Sequence, residues 1–291
     1  MRRFPTPSYN GTMVSKVREP VVAGAFYPGT RAGLLRTMEG LFGGGRPETA
    51  RSLSRPFGLV VPHAGYMYSG KVAADGYREA ARAGTPEEVV ILGTNHTGLG
   101  YPISIARDGA WRTPLGDAPI AADLADRLVE RGFPIAEEAF AREHSIEVQL
   151  PFLQYLFGEE IPFVPICVSF PRLNDLVAAG EALGEVVRDD AVLLVASSDF
   201  THYEPDGIAR RLDQEAIELI LRFDAVGFYR LVLEKRLSIC GAGAITLLLA
   251  AARKLGWGEA QLVSYATSGD ITGDRSAVVG YAAIALSGEG S

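Results

Sequence analysis

Cysteine is scarce in this chain. Only Cys167 and Cys240 occur among 291 residues, and neither has a second cysteine at CxxC spacing. This scarcity excludes a disulfide framework and a zinc finger built on cysteine pairs. It fits a reducing compartment, so we expect a cytoplasmic protein.

Long uncharged apolar runs are absent as well. The longest extends from Ile239 to Ala252 and ends at Arg253, which is shorter than the ~18 residues that a membrane span requires. Residues 1–19 contain no apolar core of the kind found in a secretory signal. The sequence therefore predicts neither a membrane segment nor secretion.

An excess of basic residues is also missing, because 28 Lys and Arg stand against 35 Asp and Glu, a net charge of −7. A protein that tracks a duplex with a basic face is thereby excluded, and nucleic acid is not an expected partner. Hydrophobic residues make up 47% and charged residues 22% of the chain, as in globular proteins rather than disordered or fibrous ones.

From residue 57 onward, short β-branched runs alternate with segments of helical periodicity. This alternation predicts an α/β protein whose sheet is covered on both faces. We expect residues 17–288 to form a single domain and residues 1–16 to be a flexible N-terminal extension. The predicted strands are 57–62, 88–93, 102–106, 161–170, 191–197, 261–268 and 276–286, and the predicted helices are 70–82, 121–131, 146–157, 173–187, 208–221, 225–235 and 242–256.

Three of the four histidines come just after a predicted strand. His63 follows its strand directly, His96 stands three residues past the next one, and His202 lies five past a third. The carboxyl ends of parallel strands open on a common crevice in α/β sheets, so these residues can converge there. A lone loop histidine is more often a surface residue, but the small, turn-forming neighbours of His63 and His96 favour a functional role for these two.

Cys240 is a third candidate ligand. It precedes Gly241 and an apolar predicted helix, and free N–H groups at a helix start favour a thiolate. Cys167 lies within a predicted strand and is expected to be a core residue. His63, His96 and Cys240 together would form a three-ligand metal site with an open position, as in catalytic centres.

Asp199 and His202 are candidates for a proton-transfer pair beside this site, because a carboxylate can orient an imidazole and raise its basicity. The alternative is that Asp199 or Ser198 caps a helix. His144 precedes the predicted helix 146–157. Either its ring donates a hydrogen bond to a metal ligand, or it has a capping or packing role.

Five segments carry a resemblance to a known family. They are PHAGYMYSG around His63, WRTPLGDAPI, EHSIEVQLPFL around His144, SSDFTHY, and SICGAGAI around Cys240. In this order they resemble motifs of the Memo family, called AmmeMemoRadiSam system protein B in prokaryotes, from about Val17 to about Leu286. That family is similar in fold to LigB-type class III extradiol dioxygenases. The similarity implies a three-layer α/β/α domain with a central mixed sheet and a pocket at strand ends.

The resemblance also implies a cofactor. Those dioxygenases bind ferrous iron through two histidines and one carboxylate, and the matching positions are His63 and His96, with Cys240 in place of the carboxylate. We therefore expect Fe(II), with copper or zinc as alternatives because a thiolate is a softer ligand. Asp199 and His202 match pocket residues of the family, with His202 as an acid or base. The segment TNHTG around His96 departs from the paired-histidine loop of animal members.

Two functional hypotheses follow from the resemblance. The first is a non-haem iron or copper oxidoreductase, similar to a dioxygenase, that acts on a vicinal diol or a similar small molecule. The second is a non-catalytic module that binds metal or a phosphopeptide in the same pocket, with Arg142 or Arg275 as phosphate ligands. The prokaryotic family name implies association with AMMECR-type and radical-SAM proteins, and an exposed apolar helix face would allow a homodimer.

Overall fold

The computed structural model describes residues 17–49 and 52–288; the predicted extension 1–16 lies outside them. The helices in this part of the chain are α1 (Arg31–Leu41), α2 (Tyr66–Ala83), α3 (Ala122–Glu130), α4 (Leu150–Phe157), α5 (Leu173–Val186), α6 (Asp206–Leu221), α7 (Ala225–Lys235), α8 (Ala242–Leu255) and α9 (Ser268–Thr272). The strands are β1 (Val17–Arg18), β2 (Phe57–Val61), β3 (Glu88–Thr94), β4 (Ile103–Ile105), β5 (Ala110–Thr113), β6 (Gly116–Pro119), β7 (Phe163–Val168), β8 (Val192–Ser197), β9 (His202–Glu204), β10 (Glu259–Thr267) and β11 (Val278–Ser287). Two 3-10 turns span Glu137–Phe140 and Glu147–Gln149.

An eight-stranded mixed sheet forms the centre of the fold. Its strand order is β10-β11-β2-β8-β3-β7-β4, and β9 pairs with β11. The four strands β2, β8, β3 and β7 are parallel, whereas β4, β11 and β10 run antiparallel to their neighbours. The central mixed sheet expected from the resemblance is confirmed.

Helices cover both faces of this sheet. The connection β2–α2–β3 moves in one direction along the strand order, and β7–α5–β8 moves back in the other. Right-handed crossovers therefore place α2 and α5 on opposite faces. On the α5 side, α8 packs so closely that a Cβ on Gly180 would lie 2.4 Å from the carbonyl oxygen of Leu247. The three-layer α/β/α arrangement is thus confirmed.

Hydrophobic periodicity located most of the elements after residue 57 but missed the 11-residue helix α1. The predicted helix 225–235 coincides with α7, and the strand 191–197 differs from β8 by one residue. The predicted helix 146–157 begins instead as a 3-10 turn and becomes α-helical only at Leu150. The small sheet β1-β5-β6 was not predicted, because strands of two to four residues are too short to show alternation.

Among the described residues, no helix is long and apolar enough to cross a membrane.

Candidate metal centre

The candidate site lies at the carboxyl ends of three adjacent parallel strands. His63 follows β2, Asp199 follows β8, and His96 follows β3. Because β8 lies between β2 and β3 in the sheet, Asp199 stands between the two histidine-bearing loops. Cys240 joins them from the residues just before α8, and His144 from the segment before the turn Glu147–Gln149.

Two groups of three side chains offer ligand atoms that all lie within 4.8 Å of one another. One group is His63, His96 and His144, and the other is His63, Asp199 and Cys240. His63 belongs to both, and no such group in the described part of the chain holds both His96 and Cys240. The structure therefore places His63 beside each of the other two predicted ligands, and it adds the ring of His144 to the imidazole group.

The tautomer of His96 is set by Glu143. The Nδ1 atom of His96 lies 2.9 Å from Glu143 Oε1. Burial alone would raise the pKa of this carboxyl, but hydrogen bonds from His96 and Ser145 lower it to about 2. An ionised carboxylate can only accept, so His96 donates from Nδ1 and keeps the Nε2 lone pair for a metal.

The imidazoles of His63 and His144 are neutral at physiological pH. Burial, followed by the charge of His96, lowers the pKa of His63 to about 3. Burial and the charges of His63 and His96 lower the pKa of His144 to about 4. Neutral imidazoles are the form that binds metals, so the site needs no proton release from these two rings to accept an ion.

The environment of Cys240 differs from the expectation. Its Sγ lies 3.2 Å from His63 Nε2 and accepts a hydrogen bond of 3.2 Å from the backbone N–H of Asp199. Burial, followed by the negative charge of Asp199, nevertheless raises the pKa of the thiol. The raised pKa favours the neutral thiol in the metal-free protein and opposes the predicted effect of the helix start. A bound cation would supply the positive charge that ionises the sulfur.

Asp199 and His202 lie near each other but are held by different partners. Asp199 is buried and accepts the backbone N–H groups of His63 and Ala64 at 2.8 and 3.2 Å, and burial raises its pKa. The Nδ1 atom of His202 lies 2.8 Å from the carbonyl oxygen of Ser238. This carbonyl, rather than Asp199, orients the ring and leaves Nε2 free. Asp199 caps no helix, because the chain continues into β9.

The sequence comparisons place the chain in a family. Residues 18–285 match the family model described as Memo-like protein. The chain belongs to the Memo-like family. A MEMO1 family protein of Methanopyrus kandleri is 45% identical over 276 residues, which cover 92% of this chain and 98% of the relative. A MEMO1 family protein of Desulfurococcus amylolyticus is 44% identical over 280 residues, with the same coverage. The Memo resemblance of the five motifs is confirmed.

One solved structure supports the fold of this Memo-like protein. The crystal structure of an uncharacterized protein from Escherichia coli K12 matches with a TM-score of 0.56 at 16% identity, over 79% of this chain and 99% of that one. At this identity the similarity concerns the fold alone. The similarity to LigB-type dioxygenases stays a prediction.

Several supporting residues of the Memo-like site escaped the sequence analysis. In the segment EHSIEVQ, the alternate residues Glu143, Ser145, Glu147 and Gln149 are all fully buried. Polar side chains at a spacing of two, around the apolar residues Ile146 and Val148, are a readable signal, because buried polar groups require partners. That alternation would have identified this segment as part of a polar network.

The predicted phosphate ligands differ in their availability. Arg275 forms ion pairs with Asp206 at 2.7 Å and with Asp270 at 3.0 Å. Its guanidinium is therefore already engaged by two carboxylates. Arg142 is exposed and directly precedes Glu143, so it is the more accessible of the two candidates.

We expect acidification to destabilise the metal-free protein. The pKa values of His63 and His144, about 3 and about 4, lie below the ordinary value of 6.5, so the unfolded chain takes up protons first. The two rings then make their full contribution to the free energy of unfolding above pH 6.5. This contribution falls as the pH drops towards 4, by roughly 1.4 kcal/mol per pH unit for each ring. Asp199, whose pKa is raised, works in the opposite direction.

Urea unfolding of the chelator-treated protein at pH 7 and pH 5 measures this effect. The His144→Phe variant is expected to lose about half of the pH dependence, since one of the two neutral rings is gone. An equal pH dependence of stability in wild type and His144→Phe would contradict the lowered pKa of His144.

Proposed function

We propose that this Memo-like protein is an oxidoreductase that holds a single iron or copper ion at His63 and oxidises a vicinal diol with dioxygen. The observation that carries the proposal is the position of His63. Its ring belongs to both groups of three ligand side chains, which are called the donor groups below. A neutral imidazole has one nitrogen lone pair, so His63 can bind one ion only and the two groups define one centre.

The donor atoms fit a transition metal. Three imidazoles suit iron, copper and zinc, and the sulfur of Cys240 disfavours magnesium and calcium. A redox-active ion bound there would supply Lewis acidity and one-electron chemistry with dioxygen. The diol as substrate class comes from the resemblance of the quoted motifs to extradiol dioxygenases.

Access to the site is one-sided. The His63 residue is only 3% exposed, whereas the side chain of His96 is 33% exposed. A small molecule would therefore approach from the His96 side, while His63 stays shielded from water.

We propose that His202 moves the proton. It stands three residues past Asp199, which accepts a hydrogen bond from the backbone N–H of His63. Its Nδ1 atom is committed to the Ser238 carbonyl, which leaves the Nε2 lone pair to accept a proton from a diol hydroxyl. His202 is only half-buried, so a proton taken up there can pass on to solvent.

Oxygen consumption by iron-loaded protein tests the proposal. We expect wild type, loaded with Fe(II) under anaerobic conditions, to consume oxygen with at least one catechol of a broad diol panel. Cys240→Ala removes one donor and is expected to lower both bound iron and uptake by at least about 10-fold. Cys167→Ala is the matched control, because this thiol is fully buried in β7 and belongs to neither donor group.

Each outcome bears on the proposal. Iron bound by wild type without oxygen uptake across the panel would contradict the oxidoreductase and support a non-catalytic metal-binding module. No iron bound by wild type would contradict both. Equal losses in Cys240→Ala and Cys167→Ala would show that a thiol supports folding rather than the centre.

A further inference from the structure

A buried chain of hydrogen bonds runs from α2 to the ring of His63. Tyr77 Oη lies 3.0 Å from Gln149 Oε1, Gln149 Nε2 lies 2.8 Å from Ser197 Oγ, and Ser197 Oγ lies 3.1 Å from His63 Nδ1. Tyr77, Gln149 and Ser197 are fully buried and belong to neither donor group. Any effect they have on a bound ion must therefore act through His63.

The orientation of the Gln149 amide follows from its neighbours. Gln149 Nε2 lies 2.9 Å from the carbonyl oxygen of Pro62, and a carbonyl can only accept. The amide must therefore turn its NH₂ group towards Pro62 and its oxygen towards the hydroxyl of Tyr77. The second hydrogen of the NH₂ group is then donated to Ser197 Oγ.

The hydroxyl of Ser197 has one proton, and that proton is also committed. Ser197 Oγ lies 2.7 Å from the carbonyl oxygen of Ser145, which again can only accept. Both lone pairs of Ser197 Oγ are then acceptors, one for Gln149 and one for His63. A hydrogen bond to His63 Nδ1 is possible only if this nitrogen carries the proton.

We propose that Gln149 and Ser197 are positioning residues that lock His63 in the Nδ1–H tautomer. The lock leaves the lone pair on Nε2, the atom that lies 3.2 Å from Cys240 Sγ. In the other tautomer a proton on Nε2 would occupy the direction in which an ion must bind. The consequence for metal binding rests on the proposed function, whereas the tautomer is a property of the metal-free protein.

The tautomer can be measured directly by NMR on metal-free protein labelled with ¹⁵N-histidine. The chain has only four histidines, and protonated and unprotonated ring nitrogens have well-separated ¹⁵N shifts. The signals of His63 are assigned by their loss in His63→Gln. We expect Nδ1–H alone for His63 in wild type. An Nε2–H ring, or rapid averaging of the two forms, would overturn the proposal.

Substitutions test which residues hold the lock. Ser197→Ala removes the acceptor and is expected to convert His63 to the Nε2–H form and to weaken Zn²⁺ binding by about 10- to 100-fold. Gln149→Leu removes one of the two donors to Ser197 Oγ. The hydroxyl is then held only by the Ser145 carbonyl and can turn towards His63 Nδ1, so we expect a mixture of tautomers. Ser104→Ala is the matched control, since Ser104 is also a fully buried strand serine whose hydroxyl bonds to a carbonyl.

The possible failures are distinguishable. An unchanged tautomer in folded Ser197→Ala would overturn the proposal, and so would the same change in Ser104→Ala. If Ser197→Ala does not fold, the proposal is tested by the His63 tautomer in wild type and in Gln149→Leu. Wild type that shows the expected tautomer but binds no Zn²⁺ would contradict the proposed metal centre and leave the lock intact.

Discussion

Replacing His63 with alanine is expected to abolish metal binding, whereas removal of any other donor is expected only to weaken it. His63 is the one side chain shared by the two donor groups of the described residues. His63→Ala therefore leaves no group of three, while His96→Ala and Cys240→Ala each leave the opposite group complete. Loss of a direct ligand must exceed the roughly 10- to 100-fold cost of losing an outer partner. We expect at least about 1,000-fold for His63, which corresponds to about 4 kcal/mol.

Competition between the protein and a chromophoric chelator for Zn²⁺ measures this difference, together with elemental analysis of the purified variants. His202→Ala is the control, because it removes an imidazole from the same side of the sheet but from outside both donor groups. Wild-type metal content in His63→Ala, or an equal loss in His202→Ala, would contradict a centre built on His63.

The sequence predicted the convergence of His63, His96 and the segment that carries Asp199 and His202. Each follows an apolar strand that hydrophobic runs reveal, and the carboxyl ends of parallel strands lie on one side of a sheet. No precise distance is needed for that inference. The grouping within 4.8 Å is a finer matter, because it depends on the rotamer of each ring and on the loop that carries it.

The supporting residues were not accessible in the same way. Glu143 contacts His96 across 47 positions of the chain, and Ser197 contacts His63 across 134. Such pairs leave no local periodicity that a single sequence can show. The protonated state of Cys240 was missed for a related reason, since burial raises its pKa and burial depends on the whole fold rather than on the helix that follows it.

The largest loss of stability is expected for Glu143→Gln. The Glu143 carboxylate is fully buried and accepts four hydrogen bonds of 2.8 to 2.9 Å, from the backbone and ring of His96 and from the backbone N–H groups of His144 and Ser145. Glutamine has the same size but only one acceptor atom. Its NH₂ group must face at least one N–H donor in either orientation, so one buried donor stays unpaired and is repelled.

A buried donor left unpaired costs about 1–3 kcal/mol in free energy of unfolding, and the loss of hydrogen bonds to a charged acceptor adds to this cost. Urea unfolding of metal-free protein at pH 7 measures the cost for Glu143→Gln. Glu138→Gln makes the same chemical change in the neighbouring 3-10 turn, where the side chain is exposed, and is expected to change stability by less than about 0.5 kcal/mol.

Glu143→Gln should also affect the metal. The variant removes the anion that accepts the Nδ1 proton of His96, so the ring can rotate or change tautomer. We therefore expect Zn²⁺ affinity to fall by about 10- to 100-fold in the folded variant. A folded variant that loses stability but keeps wild-type affinity would show that Glu143 only secures the loop. A variant that loses neither would mean that His96 is oriented by something other than this carboxylate.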